Sequence, residues 1–346
     1  MNPLAQPLTR SPELFPHSLD VRTDSVTLIR LAEADYAKAS FLDGRILSPG
    51  VIAGTVAFRD LAAAAQDARL AENADFIFHI GHVGSTLLAR LLGRHPALFS
   101  LREPDILRTL ARIRAEAEAT PHRWSAEEFE AYLATVLKLW SRTFRPEQRA
   151  IVKATSFASE LAGEILRRPN RPKAIFMFVS PENYLATILG AEHSPKEAQM
   201  LADLRAKRLQ RHIGGALEPV TSMGALVAMS WASEMCALAA ARDSSDRIHW
   251  LDFDRFLADP AAALANCFRH LGVEASPEQI AHIVSGPDMR TYSKAQEYGY
   301  DAALRRDVLD QARQMQGAEI RRGLDWLERQ IARHPEMKRM FEGWSG

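Results

Sequence analysis

The residues best suited to chemistry lie in one run, Gly81-His82-Val83-Gly84-Ser85-Thr86-Leu87. Two glycines frame a tight turn, and Ser85 and Thr86 follow where a helix would be capped. Before the turn, Phe76 to Ile80 is a short, mostly apolar run with aromatic and β-branched residues, which predicts a buried strand. After it, Leu87, Leu88, Leu91 and Leu92 recur at helical spacing and predict an amphipathic helix ending near Gly93. Strand, glycine loop and helix make a cradle for a phosphate or sulfate, because backbone N–H groups and the positive end of the helix dipole converge there. The lysine of the Gly-x-x-x-x-Gly-Lys-Ser/Thr pattern is missing, since Ser85 and Thr86 directly follow Gly84.

Stepping outward from the loop, strands are expected at Val26–Leu31, Leu98–Leu101, Ala150–Lys153, Lys173–Val179 and Ile248–Leu251. Helices are expected at Glu33–Phe41, Val51–Leu70, Asp105–Ala119, Ala126–Thr143, Phe157–Arg168, Ser194–Arg211, Ala225–Ala241, Pro277–Ser285, Asp301–Gln316 and Ala318–Arg333, with others starting at Pro181 and Pro260. Residues 1 to about 24 carry four prolines and little periodicity and read as an extended arm. Strands alternating with helices predict a three-layer α/β fold with a central parallel sheet. The division expected is an N-terminal extension of strand and helices (1–70), a phosphate-loop core (71–300) and C-terminal helices packing on it (301–346).

The chain has 346 residues, enough for a large core, and its hydrophobic content of 47% and charged content of 25% are ordinary for a globular protein. Lys plus Arg and Asp plus Glu are both 43, so no global basic field exists to draw in nucleic acid or an anionic membrane. An anionic ligand must therefore be held by a local cluster. Cys236 and Cys267 sit among apolar neighbours as buried thiols of a reducing compartment, and no CxxC or HxxxH pair points to zinc. The first residues lack a basic region followed by an apolar run, and no uninterrupted apolar stretch reaches membrane-spanning length; a cytoplasmic location is expected.

The loop does not stand alone. His82-Val83-Gly84-Ser85-Thr86-Leu87-Leu88 resembles the phosphosulfate loop of the sulfotransferases, with histidine at the family's basic position. His95-Pro96 and then Glu103 follow, as in tyrosylprotein-sulfotransferase-like members. Lys153 in IVKATSF matches the family's strand-end lysine. Val179-Ser180-Pro181 through Thr187 occupies the place of its 3′-phosphate motif, with Val179 where the arginine stands and Thr187 where the serine stands. LDFDRFLADP, Leu251 to Pro260, is similar to its late strand-to-helix junction. These matches, in order, span about Asp75 to Lys294.

The resemblance implies transfer of a sulfuryl group from 3′-phosphoadenosine 5′-phosphosulfate to a hydroxyl or amine of a small molecule or peptide, with no metal. It implies Glu103 as general base and Lys153 and His82 as cations for the leaving and equatorial oxygens. Arg102 would lower the pKa of Glu103 if both faced the same way. Gly81 to Leu87 and Thr187 would hold the nucleotide. For the arginine missing at Val179 the candidates are Arg290 or Lys294, in a Tyr-Ser-Lys segment similar to one in bacterial relatives of the family, and the basic run Arg205, Lys207, Arg208 and Arg211. Two other readings remain open, a non-catalytic nucleotide binder on a degenerate scaffold and an ATP-dependent kinase. The acceptor and the oligomeric state are not legible.

Overall fold

The structure is a computed structural model that describes residues 5–116, 124–291, 299 and 301–341. Three strands, β1 (Leu14–Asp20), β2 (Ser25–Arg30) and β3 (Ile52–Ala57), form an antiparallel sheet in the order β1-β2-β3. The supposed arm is thus a helix, Ala5–Arg10, followed by an edge strand. Its one internal proline, Pro16, falls where the β1–β2 register shifts, so the lost N–H costs no regular ladder bond. The expected helix at Val51–Leu70 is also corrected. Its first half carries Gly54, Thr55 and Val56 and pairs with β2, and the alanine-rich helix begins only at Phe58 and ends at Asp67.

The main sheet contains β4 (Ala74–His79), β5 (Leu98–Arg102), β6 (Arg149–Lys153), β7 (Ala174–Phe178) and β8 (Ile248–Asp252). Its order is β5-β6-β4-β7-β8 and every neighbouring pair is parallel. The fold is therefore mixed α/β, a five-stranded parallel sheet flanked by helices. Leaving β4 the chain crosses to β5 on one side; leaving β6 it crosses to β7 on the other. Right-handed crossovers then put the connecting helices on opposite faces, and the crevice where direction reverses lies beyond the carboxyl end of β4.

One continuous apolar core runs from Leu8 to Met337 and includes Ala74, Phe76, Ile77 and Phe78 of β4, a strand whose six residues are all buried. The helix Met223–Arg242 is long and apolar enough in composition to cross a bilayer, but 83% of that window is buried inside the protein, so it is a core helix here. Three other expectations change. Phe157–Arg168 is a 3-10 turn, Ser156–Leu161, followed by a short helix, Ala162–Leu166. Ser194–Arg211 breaks at Leu201 into Ser194–Met200 and Ala202–Ile213. The two C-terminal helices are one, Ala302–Arg333, with Gly317 and Gly323 inside it; isolated glycines weaken a long helix without ending it.

Candidate functional site

A cavity of about 600 Å³ opens at the carboxyl ends of the parallel strands. Gly81, His82, Val83, Gly84, Ser85, Thr86 and Leu87 line it, together with Glu103, Lys153 and Thr187. The first helical bond after the loop is Leu88 N–H to Gly84 O, 3.0 Å, so the N–H groups of Ser85, Thr86 and Leu87 precede the helix ladder. Thr86 is only 2% exposed, yet its hydroxyl has no hydrogen-bond partner among the described residues. A buried hydroxyl with no protein partner on the wall of a cavity can donate to an anion held there.

The loop is held in a left-handed backbone at three places, Gly81 (φ +86°), His82 (φ +56°) and Gly84 (φ +64°). His79, at the end of β4, braces it from below. Its Nδ1 accepts the Gly81 N–H at 2.9 Å, which leaves the ring proton on Nε2 facing Ala154 O, also at 2.9 Å. The Gly81 N–H is thereby turned to the protein and not to a ligand.

Opposite the loop stand Glu103 and Lys153. In the β5–β6 register Arg102 pairs with Lys153, and the Glu103 N–H donates to Lys153 O at 2.7 Å. Lys153 Nζ forms an ion pair with Glu103 Oε1, and Lys153 is 1% exposed. Left-handed backbone at Glu103, φ +53°, ends the strand and carries its side chain to the lysine. Such backbone in a residue other than glycine persists only where its surroundings enforce it.

Arg102 does not join this pair. It donates instead to Ala39 O at 2.7 Å and to Tyr36 O, helped by Arg90 on Ala37 O and Lys38 O, so both arginines finish the helix Glu33–Lys38. Burial, reinforced by the charge of Arg90, pulls the Arg102 guanidinium down to about 9.

Around the place expected for the nucleotide's 3′-phosphate, Val179 is fully buried and its carbonyl accepts from Trp231 Nε1 at 3.1 Å. Arg290 is turned away: it donates to Ser285 O at 2.8 Å and is not on the cavity wall, although Met289 and Thr291 are. Lys294 lies outside the described residues. The basic run is not a solvated face. Arg208 is 1% exposed and forms an ion pair with Glu234, 2.8 Å between Nη2 and Oε2, and Arg211 bonds Glu160 at 2.5 Å. Burial alone would raise the Glu160 carboxyl, but a hydrogen bond from His212 and the charges of Arg208 and Arg211 outweigh it and hold it low. Of that run Arg205, 5% exposed, lines the cavity.

One guanidinium that lines the same cavity as Thr187 was missed. Arg305, from the long C-terminal helix, lines the cavity and donates through Nε to Asp254 Oδ1 at 3.0 Å; Asp254 Oδ2 accepts from Asn183 Nδ2 at 2.7 Å, and Asn183 O accepts from Thr187 Oγ1 at 2.7 Å. Arg305 also lies over the Phe253 ring, 4.9 Å from its centroid. No sequence signal marks it, because its partner is 51 residues away. Asp252 caps the helix Phe253–Ala258 through the N–H groups of Asp254 and Arg255, so the paired aspartates of LDFDRFLADP are both engaged within the protein.

No protein-family model matches the chain, and neither does any curated protein. Solved sulfotransferase structures are similar to it. A sulfotransferase domain from the curacin biosynthetic pathway is 16% identical with a TM-score of 0.40, over 70% of this chain and 90% of that one. A sulfotransferase from Mycobacterium avium is 12% identical with a TM-score of 0.41, over 75% and 82%. A mouse sulfotransferase complexed with PAP is 13% identical with a TM-score of 0.38, over 79% and 89%. At these scores the likenesses add no weight to what the chain's own strand order and loop show.

Proposed function

We propose that this chain is a sulfotransferase-like enzyme that moves a sulfuryl group from 3′-phosphoadenosine 5′-phosphosulfate to a hydroxyl or amine. One observation carries the reading: the anion loop, with its orphaned Thr86 hydroxyl, faces the buried Glu103–Lys153 pair across a single cavity. A pure binding protein has no use for a carboxylate and an ammonium placed together there.

The cavity and its donors suit a nucleotide of this kind. N–H groups at the start of the loop helix, with Thr86 Oγ1, would hold the 5′ end. Arg305 and Thr187 would face the 3′-phosphate in place of the arginine missing at Val179. The co-substrate supplies a sulfuryl group already joined to a good leaving phosphate. Glu103 accepts the proton released by the acceptor, and Lys153 opposes negative charge gathering at the leaving oxygen. His82, which lines the same cavity, would supply a second cation when protonated. A reducing, cytoplasmic setting belongs to the same proposal: Cys236 and Cys267 are buried thiols, each pushed by burial up to about 12.

Calorimetric titration with adenosine 3′,5′-bisphosphate, in parallel with ADP and ATP, tests the reading. Micromolar binding of the bisphosphate, weakened in an Arg305→Ala variant and much weaker for ADP, is expected. Preference for ATP would move the chain to the kinases, against which the engaged Asp252 and Asp254 already count. Binding without turnover on any acceptor would leave a nucleotide-binding protein.

A further inference from the structure

The N-terminal extension reaches into the cavity through one short segment. Leu42 N–H donates to Arg102 O at 2.7 Å, which docks residues 41–46 against the end of β5. There Asp43, 7% exposed, caps the turn Gly44–Ile46 and bonds Arg45 twice, at 2.8 Å through Nε and 2.5 Å through Nη2. The same Arg45 Nη2 lies 3.3 Å from Glu103 Oε2. Phe41 supports the guanidinium from beneath, 3.2 Å from its ring centroid. Arg45 is thus shared between two carboxylates, one of which is the base proposed above.

We infer that Asp43 and Arg45 are positioning residues for Glu103: Arg45 holds the carboxylate in place against Lys153, and Asp43 limits how much of that guanidinium Glu103 receives. The inference rests on the reading of Glu103 as base, and it makes the N-terminal extension part of the catalytic apparatus. The charged groups around Glu103 include Lys153 from β6, Arg45 and Asp43 from the extension, and Arg108 from the helix Asp105–Glu116, whose Nη2 is 3.9 Å from Oε2. Asp105 and His82 line the same cavity. Removing Arg45 takes a cation from Glu103 and leaves Asp43 beside it with Arg108, whose Nη2 is 4.0 Å from Asp43 Oδ2. Neutralising Asp43 does the reverse, because all of Arg45 becomes available. The two substitutions therefore act on Glu103 with opposite sign.

Carbon-13 NMR titration of the glutamate carboxyls reads this without any acceptor, with Glu103→Gln identifying the signal. Arg45→Ala should raise the Glu103 midpoint by about 1 pH unit, Asp43→Asn should lower it, and Arg45→Lys should restore most of the native value. Where turnover is measurable, the acid limb of kcat/KM should follow in the same directions, while binding of the bisphosphate stays unchanged. Midpoints that do not move, or that move in the same direction for both variants, would overturn the inference. Opposed shifts in a protein that transfers no sulfuryl group would sink the transferase reading and leave the positioning intact.

Discussion

Gly84 sits directly against the ring of Phe253: a β-carbon at position 84 would lie 2.0 Å from Phe253 Cε2. Phe253 is 3% exposed and is itself held under Arg305, so the ring cannot retreat. The loop's second glycine is thus demanded twice, by this contact and by its φ of +64°. Gly84→Ala should destabilise the protein by about 2–4 kcal/mol and abolish bisphosphate binding. Adding Phe253→Leu should recover part of the stability, since it relieves the overlap but not the backbone. Thermal unfolding and calorimetry check both, and native behaviour of Gly84→Ala would refute the contact.

Thr86 separates binding from folding. Its hydroxyl is buried without a partner, and valine has nearly the same shape. Thr86→Val should leave stability unchanged or raise it by up to about 1 kcal/mol, because an unsatisfied polar group is removed. The same change should weaken bisphosphate binding about tenfold, or ~1.4 kcal/mol, while Thr86→Ser keeps it. Undiminished binding by the valine variant would show that the hydroxyl does not meet the ligand.

Glu103→Gln should end turnover and also destabilise by about 3 kcal/mol, because Lys153, 1% exposed, loses its carboxylate. Lys153→Met should cost less, since Glu103 keeps Arg45 and Arg108. The double variant should be more stable than the sum of the singles by about 2 kcal/mol, still without activity. Chemical denaturation of the four proteins gives the coupling directly; additive losses would mean that the pair is not coupled.

Acid stability has a separate source. Burial, with the charge of His249 against it, pushes His270 down to about 4 from 6.5, while its Nε2 lies 3.0 Å from Ala174 O. The unfolded chain takes up this proton first, so stability is present above pH 6.5 and is lost as pH falls towards 4. The ring is only partly buried, and the loss should be on the order of 1 kcal/mol after solvent screening. Urea unfolding between pH 7 and pH 4 should show a shallower decline for His270→Gln than for the native protein. Parallel declines would assign the effect elsewhere.

The phosphate loop was legible in the chain because everything that makes it is local. An apolar strand, glycines at Gly81 and Gly84, two hydroxyl residues and a leucine stripe each impose their own geometry on a stretch of a dozen residues. The parallel sheet followed from the same kind of pattern, whereas Glu103 and Lys153 were singled out by their places in the sulfotransferase-like order of motifs. Where periodicity was weak, reading failed: Ile52–Ala57 passed for helix beside its alanine-rich neighbour, and proline hid the strand at Leu14–Asp20. What tertiary structure alone decided is which distant charges meet. Arg102 is next to Glu103 in the chain, yet goes to the carbonyls of another helix, whereas Arg45, 58 residues away, reaches the carboxylate. Arg305 reaches the cavity wall and Asp254 on the packing of a C-terminal helix, and Arg290 is drawn off by a nearby helix end. A long cation can reach many partners, and the choice among them depends on where whole elements dock, which no local pattern encodes.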